Sequence, residues 1–415
     1  LIFAAVFLAI ATERVQRLTA ALLGVAAMWG LGLISGVEAL HFIDFKVLLL
    51  LFGMMVLVAG LREAHFFRWV GIQLANLVSC NPAKMLVLFT LITGLLSAFL
   101  DNVTTMLFMV TITLEIVEIL HLPPMPFVIS EVFASNIGGT ATLVGGVPNM
   151  MIASSFHLSF MDFILNLSAI ATLCLIVATA VWYWQVKRKL ASPREFTTIP
   201  VETAEIIADP AFFYITLTIF MATVSFFFLH DYLGVEPHLV AMMAAIVLLV
   251  LVGQRIPRIF HAIEWETLFF IAAMLILVGG LEKTGILSQL AGLIVTYTKG
   301  SPVLALSAIL WTSAIGSAAI DNIPLAATFI PMIASLAAPL HLSVKTMAWA
   351  LALGTGLGGN GTPVASAASV VAVGVAARRG HPISFKEFTK MGLTMVVLTT
   401  GLSNLYLALR YILLT

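Results

Sequence analysis

The sequence has little charge and almost no cysteine. Of its 415 residues only 10% are Asp, Glu, Lys or Arg, where soluble domains run nearer a quarter. Lys plus Arg and Asp plus Glu each number 20, so the formal net charge is zero and nucleic acid is excluded as a partner. Two cysteines, Cys80 and Cys174, cannot build a disulfide scaffold, a CxxC motif or a thiolate metal site. They also exclude three-thiolate chelation of arsenic within one subunit. Neither HExxH nor GxSxG occurs, which argues against a hydrolase. Nothing in the chain reads as an enzyme, a resident metal site or a cofactor site.

What is present is apolar sequence, 61% of all residues. Runs of about 18 or more apolar residues recur from end to end, the pattern of an all-α polytopic membrane protein embedded in a lipid bilayer. The runs predict helices at about 1–12, 18–36, 45–62, 163–186, 211–229, 238–254, 265–282 and 387–410. Leu1 to Ile10 reads as the remainder of a trimmed helix rather than as a signal peptide.

Four further regions are apolar but interrupted. Residues 82–120 carry Asp101 and Asn102 at their centre, and residues 302–340 carry Asp321 and Asn322. Residues 126–157 are broken by NIGGT (Asn136 to Thr140) and GGVPN (Gly145 to Asn149), and 347–378 by GTGLGGNGTP (Gly354 to Pro363). One offset of 220 relates the two sets. It takes Asp44 to Glu264, Pro82 to Pro302, Ser97 to Ser317, Gly138 and Gly139 to Gly358 and Gly359, and Thr142 to Thr362. Internal repeats of this kind are a mark of secondary transporters.

The expected organisation is a first repeat over 1–186, a cytoplasmic linker over 187–210 and a second repeat over 211–415. Each repeat holds a re-entrant hairpin (82–120, 302–340) and a broken transmembrane helix (126–157, 347–378). Five crossings per repeat is an odd number, so the repeats are inverted. With the linker cytoplasmic, 15 of the 20 basic residues fall on the cytoplasmic side, Arg17, Arg62, Arg68 and Arg379 among them.

A charged residue at the centre of a membrane helix costs about 2.5–3.5 kcal/mol by insertion scales, so two Asp-Asn pairs at equivalent places suggest function. A hairpin tip leaves unpaired carbonyls on one limb and unpaired amides on the next. Asp101 and Asp321 are placed to cap the second limb, with Asn102 and Asn322 beside them. Gly138 and Gly139, and Gly358 and Gly359, unwind the broken helices, and Gly361 joins Gly138 and Gly139 as a candidate binding residue. Interrupted helices are where transporters bind substrate and coupling ions, which adds Asn136, Asn149 and Asn360. Thr104, Thr105, Thr140 and Thr362 are weaker candidates, because Thr in a membrane helix usually bonds its own backbone. Glu131 reads equally as a proton-handling group or as a carboxyl bonded where helices cross. The hairpins, from 85 to 120 and from 301 to 340, contain no Lys or Arg, and neither do the breaks. A carboxylate substrate would then need helix dipoles and bound cations for all its positive charge, so a cation or a proton-exchanging neutral solute is simpler.

These motifs (AFLDNVTTMLF, SEVFASNIGGTATLVG, AAIDNIPLAATFIP, GGNGTPVASAASVV and SFKEFTKMGL) resemble the ion transporter superfamily. They are most similar to the branch holding ArsB/NhaD-type permeases and the pigment-associated P protein. The resemblance implies a homodimer with scaffold and transport regions, and elevator-like motion of the part carrying the tips. Divalent-anion symporters of the superfamily carry Ser-Asn-Thr at the tips, where this chain has Asp-Asn. Relatives in its own branch usually read Gly-Asp-Pro-Pro-Asn at 145–149, and often have an Asn within 367–369, where this chain has Ala367, Ala368 and Ser369. The expectation is a secondary transporter in a prokaryotic inner membrane, exporting arsenite or antimonite against protons through Asp101 and Asp321. The alternatives are sodium/proton antiport, sodium-coupled transport of a small anion, and a passive channel. Sodium or protons are the coupling ions, and the solute is small and inorganic.

Overall fold

The computed structural model describes residues 1–11, 15–188, 190, 198, 206–340 and 342–413, so most of the 187–210 linker lies outside the described residues. Every regular element among them is helical. The first half contains α1 (Ile2–Ala11), α2 (Arg17–Gly30), α3 (Gly36–Phe42), α4 (Phe45–Glu63), α5 (Phe66–Leu77), α6 (Pro82–Phe99), α7 (Asn102–Ile119), α8 (Met125–Gly139), α9 (Val147–Phe156) and α10 (Phe160–Val186). The second contains α11 (Pro210–Leu233), α12 (Pro237–Val252), α13 (Ile256–His261), α14 (Trp265–Glu282), α15 (Ile286–Thr298), α16 (Pro302–Ala319), α17 (Asn322–Leu340), α18 (Val344–Gly358), α19 (Ala367–Arg378) and α20 (Phe385–Ala408). Among the described residues, nine helices are long and apolar enough to cross a membrane. The chain is therefore an integral membrane protein.

Helix starts keep the 220-residue offset: 17 and 237, 36 and 256, 45 and 265, 66 and 286, 82 and 302, 102 and 322, 147 and 367. Local chemistry fixes several of them. Pro82 and Pro302 open α6 and α16, where the missing N–H is an orphan in any case. Asp44 caps α4 by accepting from the amides of Lys46 at 3.0 Å and Val47 at 3.3 Å. Ser35 and Glu38 form a capping box at α3.

Two features differ from the sequence reading. The span expected at 18–36 ends at Gly30, and a turn at Gly32 leads into the separate short helix α3. Helices α5 and α15 were not expected at all. Each is amphipathic, carrying residues such as Arg68 and Gln289 within 12 or 13 residues, so neither reads as a long apolar run.

The helices pack in two sets. In one, α4 lies on α12 and α2 on α14, with Gly53 against the Ala241 backbone. In the other, α6 packs on α8 and α16 on α18, while the halves exchange partners so that α7 meets α19 and α17 meets α9. Small residues permit the closest approaches. A Cβ added to Gly138 would lie 2.7 Å from the Gly94 Cα, and one on Gly358 2.7 Å from the Ser317 Cβ. The sets meet where α9 touches α4 and α17 touches α14.

Candidate functional site

Each hairpin turns through one extended residue, Leu100 or Ile320, followed by its aspartate. Asp101 caps α7, accepting from the Thr104 amide at 3.1 Å and the Thr104 hydroxyl at 3.3 Å. Asp321 accepts from the Ile323 amide at 2.9 Å. Both aspartates are buried, and Asn322 is buried beside the second. The Ser97 hydroxyl, with one proton to give, lies within hydrogen-bond reach of the Asn102 side-chain oxygen and of the Ser135 carbonyl, the latter at 2.9 Å.

The breaks are stitched to the hairpins by hydroxyls at equivalent places. Ser317 donates to the Thr355 carbonyl at 2.6 Å, the counterpart of the contact between Ser97 and Ser135. Thr142 and Thr362 donate to the carbonyls of Ala98 and Ala318, the latter at 2.9 Å. Asn149 closes the first break by donating to the carbonyls of Gly139 at 3.0 Å and Thr142 at 2.8 Å. Ser369 stands at the equivalent position, within 3.3 Å of the Gly359 carbonyl and 2.8 Å of the Ser366 hydroxyl. The shorter side chain reaches one carbonyl of its break where Asn149 reaches two. Gly361 packs on Ala318.

The two breaks touch at their centre. Asn136 donates to the Asn360 side-chain carbonyl at 3.0 Å, leaving the Asn136 oxygen and the Asn360 nitrogen buried without a partner. The pairing of Thr140 with Gly356 is its counterpart, since a Cβ on Gly356 would collide with the Thr140 methyl. The Thr140 hydroxyl bonds the Ile137 carbonyl at 2.7 Å, within its own helix. The Thr105 hydroxyl is buried and without a partner.

Charged groups that the sequence reading missed complete the site. The Thr104 hydroxyl, with one proton to give, also lies 3.4 Å from Glu264, and the other Glu264 oxygen accepts from Thr267 at 3.1 Å. Thr267 lies 3.4 Å from the Arg17 guanidinium, which lies 3.5 Å from Asp321. A chain of polar contacts thus runs from Asp101 through Thr104, Glu264, Thr267 and Arg17 to Asp321. Arg17 corrects the expectation that dipoles and bound cations must supply all the positive charge. The hairpins and breaks do lack basic residues, and the fold brings one in from α2. The signal for Glu264 was its register with Asp44. Asp44 spends its carboxylate on its own helix, whereas Glu264 makes no such cap and turns toward the tip.

The void between the tips has a volume of about 30 Å³ and is lined by residues including Arg17, Asp101, Asn102, Pro148, Asn322 and Ser366. That is room for about one water-sized species. A second cavity of about 310 Å³ opens in front of Asp321, with Arg17, Gln16 and Glu266 on its polar side and Ile320, Val364 and Val371 on its apolar side. Glu131 is elsewhere. It is fully buried and accepts from Thr113 at 2.5 Å. Thr113 is about 18 Å along α7 from Asp101 at 1.5 Å per residue, so Glu131 is not brought to the tips.

Comparison with known proteins agrees with this architecture. A family model described as citrate transporter (CitMHS) matches residues 7–354. An uncharacterised transporter of Mycobacterium tuberculosis is 37% identical over 417 residues, covering 99% of this chain and 97% of its own. The P protein of Homo sapiens is 30% identical over 497 residues, covering 99% of this chain and 59% of the P protein. The YdaH transporter of Alcanivorax borkumensis has a similar fold, with a TM-score of 0.58 at 15% identity over 94% of this chain and 89% of that one. The chain is a membrane transporter, and it belongs to the CitMHS citrate transporter family of the ion transporter superfamily.

Proposed function

We propose that this transporter exchanges protons for a small cation, sodium first, at Asp101 and Asp321. The observation that carries the reading is the polar chain joining the two tips around a void of about 30 Å³. Three carboxylates against one fixed cation leave two negative charges uncompensated, which small cations or protons would neutralise. Full neutralisation in a buried site favours a bound cation or proton over an empty one. Inverted repeats and elevator-like motion of the set carrying the tips supply alternating access in this reading. Following the family resemblance, its working unit is a homodimer in a prokaryotic inner membrane.

Arsenite or antimonite efflux is the second reading. A neutral hydroxide exceeds the void, but the cavity of about 310 Å³ in front of Asp321 has the size and mixed lining for it. Sodium-coupled transport of a small anion, citrate included, draws on Arg17 and on the family's description.

Reconstitution in proteoliposomes separates the three. External sodium should dissipate an imposed pH gradient, and labelled arsenite and labelled citrate should show no counterflow. Arsenite counterflow with no response to sodium would move the assignment to the second reading. Sodium-dependent citrate uptake would move it to the third.

A further inference from the structure

We propose that Arg17 is a tethered cation that occupies Asp321 when the site is empty and hands over to Glu266 when a transported cation arrives. This deepens the cation-exchange reading and rests on it. Arg17 belongs to α2, which packs on α14, whereas Asp321 belongs to the tip between α16 and α17. Their contact therefore joins two sets of helices that otherwise meet along few elements.

The geometry is that of an exchangeable pair. Tight charge-assisted N–H···O bonds are about 2.7–2.9 Å long. Arg17 lies 3.5 Å from Asp321 and 3.6 Å from Glu266, with one guanidinium shared between two carboxylates. Its side chain is 24% exposed, toward the larger cavity, while that of Asp321 is 9% exposed. Phe270 supports the guanidinium face, 5.5 Å from the ring centroid. The charged groups around Asp321 are Arg17 from α2, Glu266 from α14, Glu264 just before α14, and Asp101 from the other tip.

Arginine suits this role because it does not lose its proton in a protein. A lysine could be neutralised in place, but Arg17 must be displaced. When sodium or a proton takes Asp321, Arg17 keeps Glu266 as its partner and the link between α2 and the tip is broken. Cation binding then frees the tip to move relative to α2, which couples occupancy to the conformational step.

The test uses spin labels at Leu23→Cys on α2 and Ile315→Cys on α16, both exposed positions, in a Cys80→Ser, Cys174→Ala background. Distances are measured by pulsed electron paramagnetic resonance in nanodiscs. At alkaline pH without sodium the parent should show one distance, and sodium chloride or acid should bring up a second. Arg17→Gln and Asp321→Asn should each show the second distance without any cation, and the double variant should add nothing. Arg17→Lys should restore the first.

Flux in proteoliposomes gives the opposing signs. Arg17→Gln should lower the half-saturating sodium concentration by about tenfold or more, the effect of removing one nearby charge. Glu266→Gln should raise it, because Arg17 then has only Asp321. A single parent-like distance in both Arg17→Gln and Asp321→Asn would overturn the proposal. So would an unchanged or raised half-saturating concentration in Arg17→Gln, even with sodium/proton exchange intact in the parent. If the distances behave as expected but sodium dissipates no pH gradient, the tether stands and the cation-exchange reading fails.

Discussion

Asp101 can be asked separately for its structural and its coupling role, because the structure shows which oxygen does the capping. One carboxylate oxygen accepts from the Thr104 amide and hydroxyl. In Asp101→Asn the side-chain carbonyl can accept the same bonds, and Asn and Asp are near-equal N-caps, so the cap should survive within a few tenths of a kcal/mol. Asp101→Ala removes the cap and should cost about 1 kcal/mol, about a fivefold change in the folded-to-unfolded ratio. Both variants remove the ionisable group and should abolish sodium-driven proton movement in proteoliposomes. Stability is read by equilibrium unfolding in mixed micelles and coupling by a trapped pH-sensitive dye. Parent-level coupling in Asp101→Asn would refute a coupling role and leave only the cap. Equal destabilisation of the two variants would refute the cap geometry.

Three further outcomes follow from the packing and the charges. Gly138→Ala should destabilise by about 1–3 kcal/mol, because the added methyl meets the Gly94 backbone, which cannot rotate away. Gly292→Ala in α15, with open space around it, is the control and should be neutral or stabilising in the same unfolding assay. Glu131→Gln should keep sodium/proton coupling, since its carboxyl faces Thr113 rather than the tips, and loss of coupling would place Glu131 on the proton path. At the start of α3, the Lys283 ammonium and the Ser35 amide hold the Glu38 carboxyl down from 4.5 to about 2. A depressed value stabilises the fold above the unfolded value and loses that stabilisation as the pH falls toward 2. Parent and Glu38→Gln should therefore differ in stability near neutral pH and converge between 4.5 and 2 in an acid titration.

The helical membrane character was legible because burying backbone in lipid demands long apolar helices, and such runs survive in composition alone. The polar tips were legible for the complementary reason, that an Asp-Asn pair inside such a run has few cheap explanations. Helices α5 and α15 were not, since a search for long apolar stretches passes over a short helix that is apolar on one side only. Arg17 was counted as one more cytoplasmic basic residue, which gave no hint of a partner 304 positions away. Glu264 was seen only as the register mate of Asp44. Equal register does not mean equal use, because the longer side chain of Glu264 leaves its own helix end and enters the chain between the tips.

The turns between helices hold one more lesson. His65, Ser79 and Cys80 adopt positive φ angles of 57°, 51° and 50°, and their counterparts Gly285, Lys299 and Gly300 adopt 72°, 50° and 68°. None of the three pairs shares a residue type, and in two of them only one member is the glycine that such a backbone favours. The halves have thus kept the bend of the chain while letting the side chains drift apart. At these turns the backbone torsions match across the 220-residue offset where the residue types do not. Distant members of this fold should accordingly be aligned first by where their backbones turn left-handed, and only then by residue identity.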